Sequence, residues 1–336
     1  MSAPAPAPAL PAQLDPVNTR LLADVGGTNA RFAWQAGPGA PITDVRVIPA
    51  AEHPRLQDAI RTYLDGLCRG TPQAVAIAIA NPVTGDQIRM TNHHWSFSQS
   101  EVKDEFGFRT LRLLNDFTAL ALALPDLPAE DLVQVGGGPP QTGNAIGLVG
   151  AGTGLGVSGL LPDGRGGWVA LEGEGGHVTL PASTPRERLV MDGLVRRYGH
   201  ASAERVTSGQ GLLDTFGLLC EADGVTTGQV VNAADVTAAA LETGHAQALE
   251  ALNMFCALLG SVAGNLALTL GARGGVYVGG GIVPRLGDWF HTSPFRERFE
   301  TKGRFRSYLQ TIPVWVITSR QSPALMGAAR ALDEHT

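Results

Sequence analysis

The sequence predicts an α/β protein of about two domains, and three observations carry that prediction. From Arg20 onward, short apolar β-rich runs alternate with longer stretches of helical spacing. The 336 residues, at about 150 per domain, suffice for two buried cores. Two glycine turns of one design sit at similar places, Asp24 and Gly150 lying 150 − 24 = 126 residues apart, each at the head of an α/β half.

Residues 1–19, MSAPAPAPALPAQLDPVNT, hold five prolines among alanines and lack a basic or continuous apolar region, so a disordered tail is expected rather than a signal peptide. The runs LLADV, QAVAIAIANP and TLRLLNDF read as strands closed by Gly, Asn or Asp, and LQDAIRTYLDGL and FTALALALP read as helices. A second α/β half is expected from about Asn144. The stretch Ala251 to Gly271 is uncharged and carries Gly260 and Gly264 at GxxxG spacing, which raises a membrane span. Asn253, Ser261, Asn265 and Thr269 interrupt it, no basic cluster flanks it, and the strand-like VYVGGG follows, so a helix buried between layers is the better reading.

Composition narrows the function. Lys+Arg 25 against Asp+Glu 31 gives a net charge of −6, which offers no positive field for nucleic acid or an anionic membrane and points to a small-molecule ligand. Cys68, Cys220 and Cys256 stand far apart, in no zinc or disulfide spacing, which suits a reducing cytoplasm. The 43 glycines, about 13% of the chain against an average of about 7%, imply backbone brought close to something. The two lysines, Lys103 and Lys302, follow no glycine in a GxxxxGK[ST] pattern, so a P-loop is excluded.

Three glycine turns are candidates for anion or nucleoside contact. The first, Gly26, Gly27, Thr28 and Asn29, follows the strand ending at Asp24; bare backbone there can approach a phosphate, and a divalent cation would relieve the repulsion from Asp24. A plain hairpin is the alternative. The second, Gly150 to Gly156, repeats the arrangement, which suggests an internal duplication with a nucleotide between the halves. It is not a dinucleotide fingerprint, because Leu155 and Val157 stand where GxGxxG requires glycine. The third, Gly279, Gly280 and Gly281, follows a β-branched strand and precedes an expected helix; an adenine or ribose could lie against it.

The motifs LLADVGGTNARFAW, LLNDFTALALALP, GAGTGLGVSGL, EGEGGH, AERVTSGQGL and GGVYVGGGIVP follow one another over about residues 20 to 330, and the chain so resembles the zinc-free bacterial glucokinases. That resemblance implies an actin-like, hexokinase-like fold in which two α/β domains close on sugar and ATP. A smaller domain of residues 20–126 plus about 320–336 would be completed by a helix near 323–334, and a larger one would span 127–319. The sugar kinases with a cysteine-rich zinc loop, many of them repressors, are disfavoured, because neither a Cys cluster nor room for an N-terminal helix-turn-helix exists.

Phosphoryl transfer needs an acceptor base, neutralised phosphates and in-line positioning. The resemblance makes Asp116 the base; read from its place between strand and helix, it could equally be a helix N-cap. It implies sugar contacts for Asn115, Asp116, Glu174, His177, Glu204 and Asn92. Read without it, Glu174 and His177 could be two ligands of a metal, and Glu204 a surface charge. It places Ala23, Asp24, Val25, Gly26, Gly27 and Thr28 with Gly152, Thr153 and Gly154 around the phosphates, and Ser208, Gly209, Gly280 and Gly281 at the nucleoside end. Mg2+ would be held by ATP oxygens and waters, with Asp24 reaching it through water. Glucose and ATP are the implied ligands, a homodimer the implied assembly. Two residues depart from the family's usual pattern, Gln210 in place of Pro and Asn81 in place of Cys, and neither is expected to touch the chemistry.

Overall fold

The structure is a computed structural model that describes residues 18–91, 93–319 and 322–333. It divides into two compact units, one of residues up to Ala119 together with those from Ala324, the other Leu120–Pro323. In the first, β1 (Arg20–Val25), β2 (Asn29–Gln35), β3 (Ile42–Pro49), β4 (Ala74–Ile79) and β7 (Thr110–Asn115) form a sheet of order β3-β2-β1-β4-β7, and β5 (Gln87–Arg89) pairs with β6 (Ser96–Ser98). Strands β1, β4 and β7 run parallel, so Val25, Ile79 and Asn115 end them in one row.

Alternation sorts the side chains of β1: Leu21, Ala23 and Val25 enter the core on one face, and Leu22 enters that on the other. The first face is covered by α1 (Leu56–Leu67), whose Leu56, Ala59, Ile60 and Tyr63 recur at helical spacing, and is bordered by α2 (Gln99–Phe106). The second is covered by the C-terminal helix Pro323–Asp333, through Leu325, Ala328 and Leu332 packed with Leu22, Ala33 and Ala76. Arg20 ties that helix to β1 by an ion pair with Asp333 at 2.7 Å. Order begins ahead of Arg20, since Thr19 is buried and its carbonyl accepts from the Ala74 N–H. Residues 1–17, most of the expected tail, lie outside the described residues.

After α3 (Asp116–Ala123), the second unit carries β8 (Leu132–Gln134), β9 (Ile146–Ala151), β10 (Leu155–Pro162), β11 (Trp168–Ala170), β12 (Gly275–Gly279) and β13 (Val314–Ile317), in the order β11-β10-β9-β12-β13-β8. Its sheet thus recruits β8 from ahead of Asn144, as an antiparallel edge on β13. The helices are α4 (Pro185–Tyr198), α5 (Gly209–Asp223), α6 (Ala233–Leu241), α7 (Ala246–Leu270), α8 (Trp289–Thr292), α9 (Phe295–Glu300) and α10 (Arg306–Gln310).

Helix α7 has the length and apolarity to cross a membrane, yet it is mostly buried at the centre of this unit's core. Its GxxxG spacing serves a close approach to α9. A Cβ on Gly260 would strike the Phe295 carbonyl, and one on Gly264 the Phe299 carbonyl. The helix expected after the third glycine turn is only a 3-10 turn, Val283–Leu286, which stops where Gly287 adopts φ +53°.

The two sheets share a plan. In each, an antiparallel three-strand meander (β1-β2-β3 and β9-β10-β11) continues into two parallel strands (β4, β7 and β12, β13). Strand starts and ends keep one offset: 146 − 20, 151 − 25 and 155 − 29 all equal 126.

Candidate active site

Ligand sites in sheets of this kind form beyond the carboxyl ends of parallel strands. In the first unit that edge gathers the first glycine turn after β1, Asn81 after β4, and Asn115 with Asp116 at the junction of β7 and α3. Ala23 and Val25, implied phosphate contacts, are buried backbone and all between β2 and β4, so neither is open to a ligand, and contact from this turn falls to Gly26, Gly27 and Thr28 beside Asp24. The Gly26 N–H donates to the Asn29 carbonyl at 3.0 Å, closing the turn over Gly27 and Thr28. The half-buried Asp24 faces Arg31 across the hairpin, with Nη1 3.3 Å from Oδ2. This cation was not anticipated, although a hairpin closing between Val25 and Ala30 puts positions 24 and 31 opposite each other.

The cap of α3 is Asn115. Its Oδ1 accepts from the N–H groups of Phe117 at 2.9 Å and Thr118 at 3.3 Å, and its Nδ2 donates to the Asn81 carbonyl at 3.3 Å. The capping alternative weighed for Asp116 therefore falls mainly to its neighbour. Asp116 is half-buried and accepts from the Phe117 N–H through Oδ1 at 2.9 Å. The Asn81 carbonyl, a backbone group that any residue there would offer, supports Asn115. The Asn81 side-chain amide also fastens the following loop, donating to the Arg89 carbonyl at 2.8 Å and accepting from the Thr91 N–H at 2.7 Å. Asn92, the next residue and a proposed sugar contact, lies outside the described residues.

In the second unit the three sugar candidates converge beside the second glycine turn. Gly175–His177 form a 3-10 turn against β10, with Glu174 and His177 both exposed and Nε2 4.0 Å from Oε2. The Glu204 N–H donates to the Gly176 carbonyl at 2.8 Å, and its Oε2 accepts from the Leu155 N–H at 3.0 Å. Glu204 is half-buried, not a surface charge, and fills the space that a side chain on Gly154 would need. Among the described residues no three His, Cys, Asp or Glu side chains stand together as metal ligands, so the metal reading of Glu174 and His177 has no third partner.

Of the residues expected at the nucleoside end, Gly209 and Gly281 line a cavity of about 640 Å³ together with Gly152 and Thr153. Gly152 accepts from the Gly209 N–H at 2.8 Å, which joins the second turn to the start of α5. Gly280, at φ +82°, packs so closely on Ala151 that any Cβ would overlap its backbone, and Ile282 N–H donates to Ala151 O at 3.2 Å. Ser208 is buried and caps α5 through the Gly211 N–H at 3.1 Å; neither it, Gly154 nor Gly280 lines the cavity.

Gln210 also lines it, as do Asn232 and Arg285, which sequence reasoning missed. Among the described residues the Arg285 guanidinium makes no hydrogen bond or ion pair, so this cavity carries a positive charge and no lining carboxylate. Gln210 is on the wall, its Nε2 donating to Asp214 Oδ1 at 3.1 Å. Asp214 is buried and also accepts from Arg197 at 2.7 Å and from the Tyr198 hydroxyl at 2.7 Å; holding that proton raises the Tyr198 phenol above its ordinary value.

A family model described as "Glucokinase" matches residues 21–335. The "Bifunctional protein glk" of Burkholderia pseudomallei is 54% identical over 316 residues, 94% of this chain and 48% of that protein, so the chain spans about half the length of such relatives. The "Glucokinase" of Chromobacterium violaceum is 52% identical over 316 residues, 94% of this chain and 90% of that one. A solved glucokinase from an Antarctic psychrotroph superposes with a TM-score of 0.85 at 34% identity, covering 94% of this chain and 99% of the other.

Proposed function

The chain belongs to the glucokinase family and has its actin-like α/β fold, and from that premise we propose that it transfers the terminal phosphoryl group of ATP to the 6-hydroxyl of D-glucose. The observation that carries this reading is the half-buried Asp116 carboxylate at the carboxyl end of a parallel strand, one oxygen set by the Phe117 N–H. A carboxylate there can take the proton of an attacking hydroxyl as transfer proceeds. Asn115, Asn92, Glu174, His177 and Glu204 supply the mixed donors and acceptors that sugar hydroxyls require, since each hydroxyl gives and takes a hydrogen bond. Asn115 contributes what its capping role leaves over, and Glu204 retains Oε1 for a hydroxyl while Oε2 holds Leu155.

The backbone of the turns at residues 26–28 and 152–154 takes the phosphates, and the cavity with Gly209 and Gly281 takes the nucleoside. Its apolar lining, Leu213, Val231 and Ile282, favours ATP over polyphosphate, which has no base to bury there. Magnesium, when bound, neutralises phosphate charge during transfer. With no three-ligand group of its own among the described residues, the chain fits an ion that would be held chiefly by nucleotide oxygens and water, Asp24 being the residue that would reach it through water. We place the protein in the cytoplasm as a homodimer.

The test is ADP release by purified protein with ATP and magnesium, with and without glucose and across other hexoses. Release that depends on glucose is expected. Equal hydrolysis without sugar would overturn the kinase reading, and faster turnover of mannose or fructose would reassign the acceptor.

A further inference from the structure

The cavity wall carries one polar group whose orientation is dictated by a buried charge. Gln210 lies in the first turn of α5, and its Nε2 donates to Asp214 Oδ1, one helical turn on, at 3.1 Å. Asp214 is 5% exposed, and it is engaged by Arg197 and by the Tyr198 hydroxyl, each at 2.7 Å, as befits an ionised carboxylate. An ionised carboxylate only accepts hydrogen bonds, so the amide must turn its NH2 toward Asp214 and Oε1 away from it. What Gln210 offers a ligand in the cavity is therefore an acceptor.

From this geometry we propose that Gln210 selects adenine over guanine in the phosphoryl donor, its Oε1 accepting from the exocyclic amine. The proposal rests on the nucleotide use inferred above. Adenine carries a donating amine where guanine carries a carbonyl oxygen, so guanine would set acceptor against acceptor and leave both unpaired. Leu213, Val231 and Ile282 supply apolar surface for the flat faces of a base. Asn232 complements the pattern: its Oδ1 is occupied by the Ala234 and Asp235 N–H groups at 2.8 and 3.0 Å, so the side chain has only its amine to give, a donor suited to a ring nitrogen. Position 210 thus sets a base preference that a proline there would lack the atoms to impose.

The test is Gln210→Met, similar in length and a good helix former, with kcat/KM for ATP and GTP measured at saturating glucose, and ADP and GDP binding measured by calorimetry without sugar. The wild type should favour the adenine nucleotide in both assays, and Gln210→Met should lose about tenfold of that preference, through weaker adenine binding, with KM for glucose unchanged and a Tm lowered by the lost Asp214 contact but still that of a folded protein. As a second probe, Asp214→Asn, checked for folding by its Tm, lets the Gln210 amide rotate and should erode the same ratio with Gln210 intact. An unchanged ATP:GTP and ADP:GDP ratio in Gln210→Met, equal weakening of both nucleotides, or a wild type that binds neither overturns the proposal. If ADP selectivity falls as expected while no sugar is phosphorylated, base selection stands and the sugar-kinase reading fails.

Discussion

Replacing Gly154 by Ala isolates the link between the second glycine turn and Glu204. Gly154 is not among the positive-φ glycines, so alanine fits its backbone. The new Cβ would stand 2.5 Å from Glu204 Oε2 and 3.3 Å from Cδ, with nothing else within 4 Å. Ordinary contact begins near 3.4 Å, so the carboxylate must retreat by about 0.9 Å, and directed away from the turn this stretches the 3.0 Å bond from the Leu155 N–H to about 3.9 Å. Losing a hydrogen bond to a charged group costs about 1.5–3 kcal/mol. Gly→Ala returns about 0.4–1 kcal/mol by restricting the unfolded chain. Gly154→Ala should therefore destabilise by about 1–2 kcal/mol and, on the proposed sugar role of Glu204, raise KM for glucose, because Glu204 is displaced from its place beside the 174–177 loop. In a Glu204→Ala background the obstacle is gone, and the same substitution should become neutral or stabilise by up to about 1 kcal/mol. Urea unfolding of the four proteins reads this directly. A Gly154→Ala penalty of the same size in both backgrounds would refute the reasoning.

Asp116→Asn keeps the size of the side chain and the oxygen that meets the Phe117 N–H, and should lower kcat by about a hundred- to ten-thousandfold while ADP affinity holds; near-normal turnover in a coupled assay removes Asp116 from the role of base. Cys68 is exposed whereas Cys220 and Cys256 are buried, and burial pushes both buried thiols up, Cys256 to about 12, so an Ellman titration at about pH 8 should find one prompt thiol in the native chain and three after denaturation. The same burial sets an alkaline limit. Cys256 and Tyr63 titrate higher folded than unfolded, where the thiol lies near 9.0, so their contribution is fully present below that value and is lost as the pH rises toward about 12. Tm should fall across this range, and a Tm that stays flat to about pH 11 counts against it.

What was legible in the sequence is what short-range physics controls. The hairpin of β1 and β2 and that of β9 and β10 could be placed because alternation and paired glycines are local signals, and their common offset of 126 reappears in the strand boundaries themselves. Arg31 was within reach by the same logic, as the hairpin partner of Asp24. The roles of Asn81, Glu204 and Gln210 were not, because each depends on a group supplied from elsewhere in the chain. Glu204 meets Leu155 across 49 residues, Asn81 meets Asn115 across 34, and the orientation of Gln210 is settled by Asp214, itself held by two side chains of α4. The GxxxG pair shows the converse: its spacing raised a membrane span in the sequence, whereas in the fold it serves a close approach to α9, a partner that the motif leaves unspecified. A motif therefore reports what its residues can tolerate or offer, and the packing decides which of those capacities is used. Position 210 is the sharpest case, since a free glutamine presents both a donor and an acceptor, and the buried carboxylate of Asp214 leaves it only one to present.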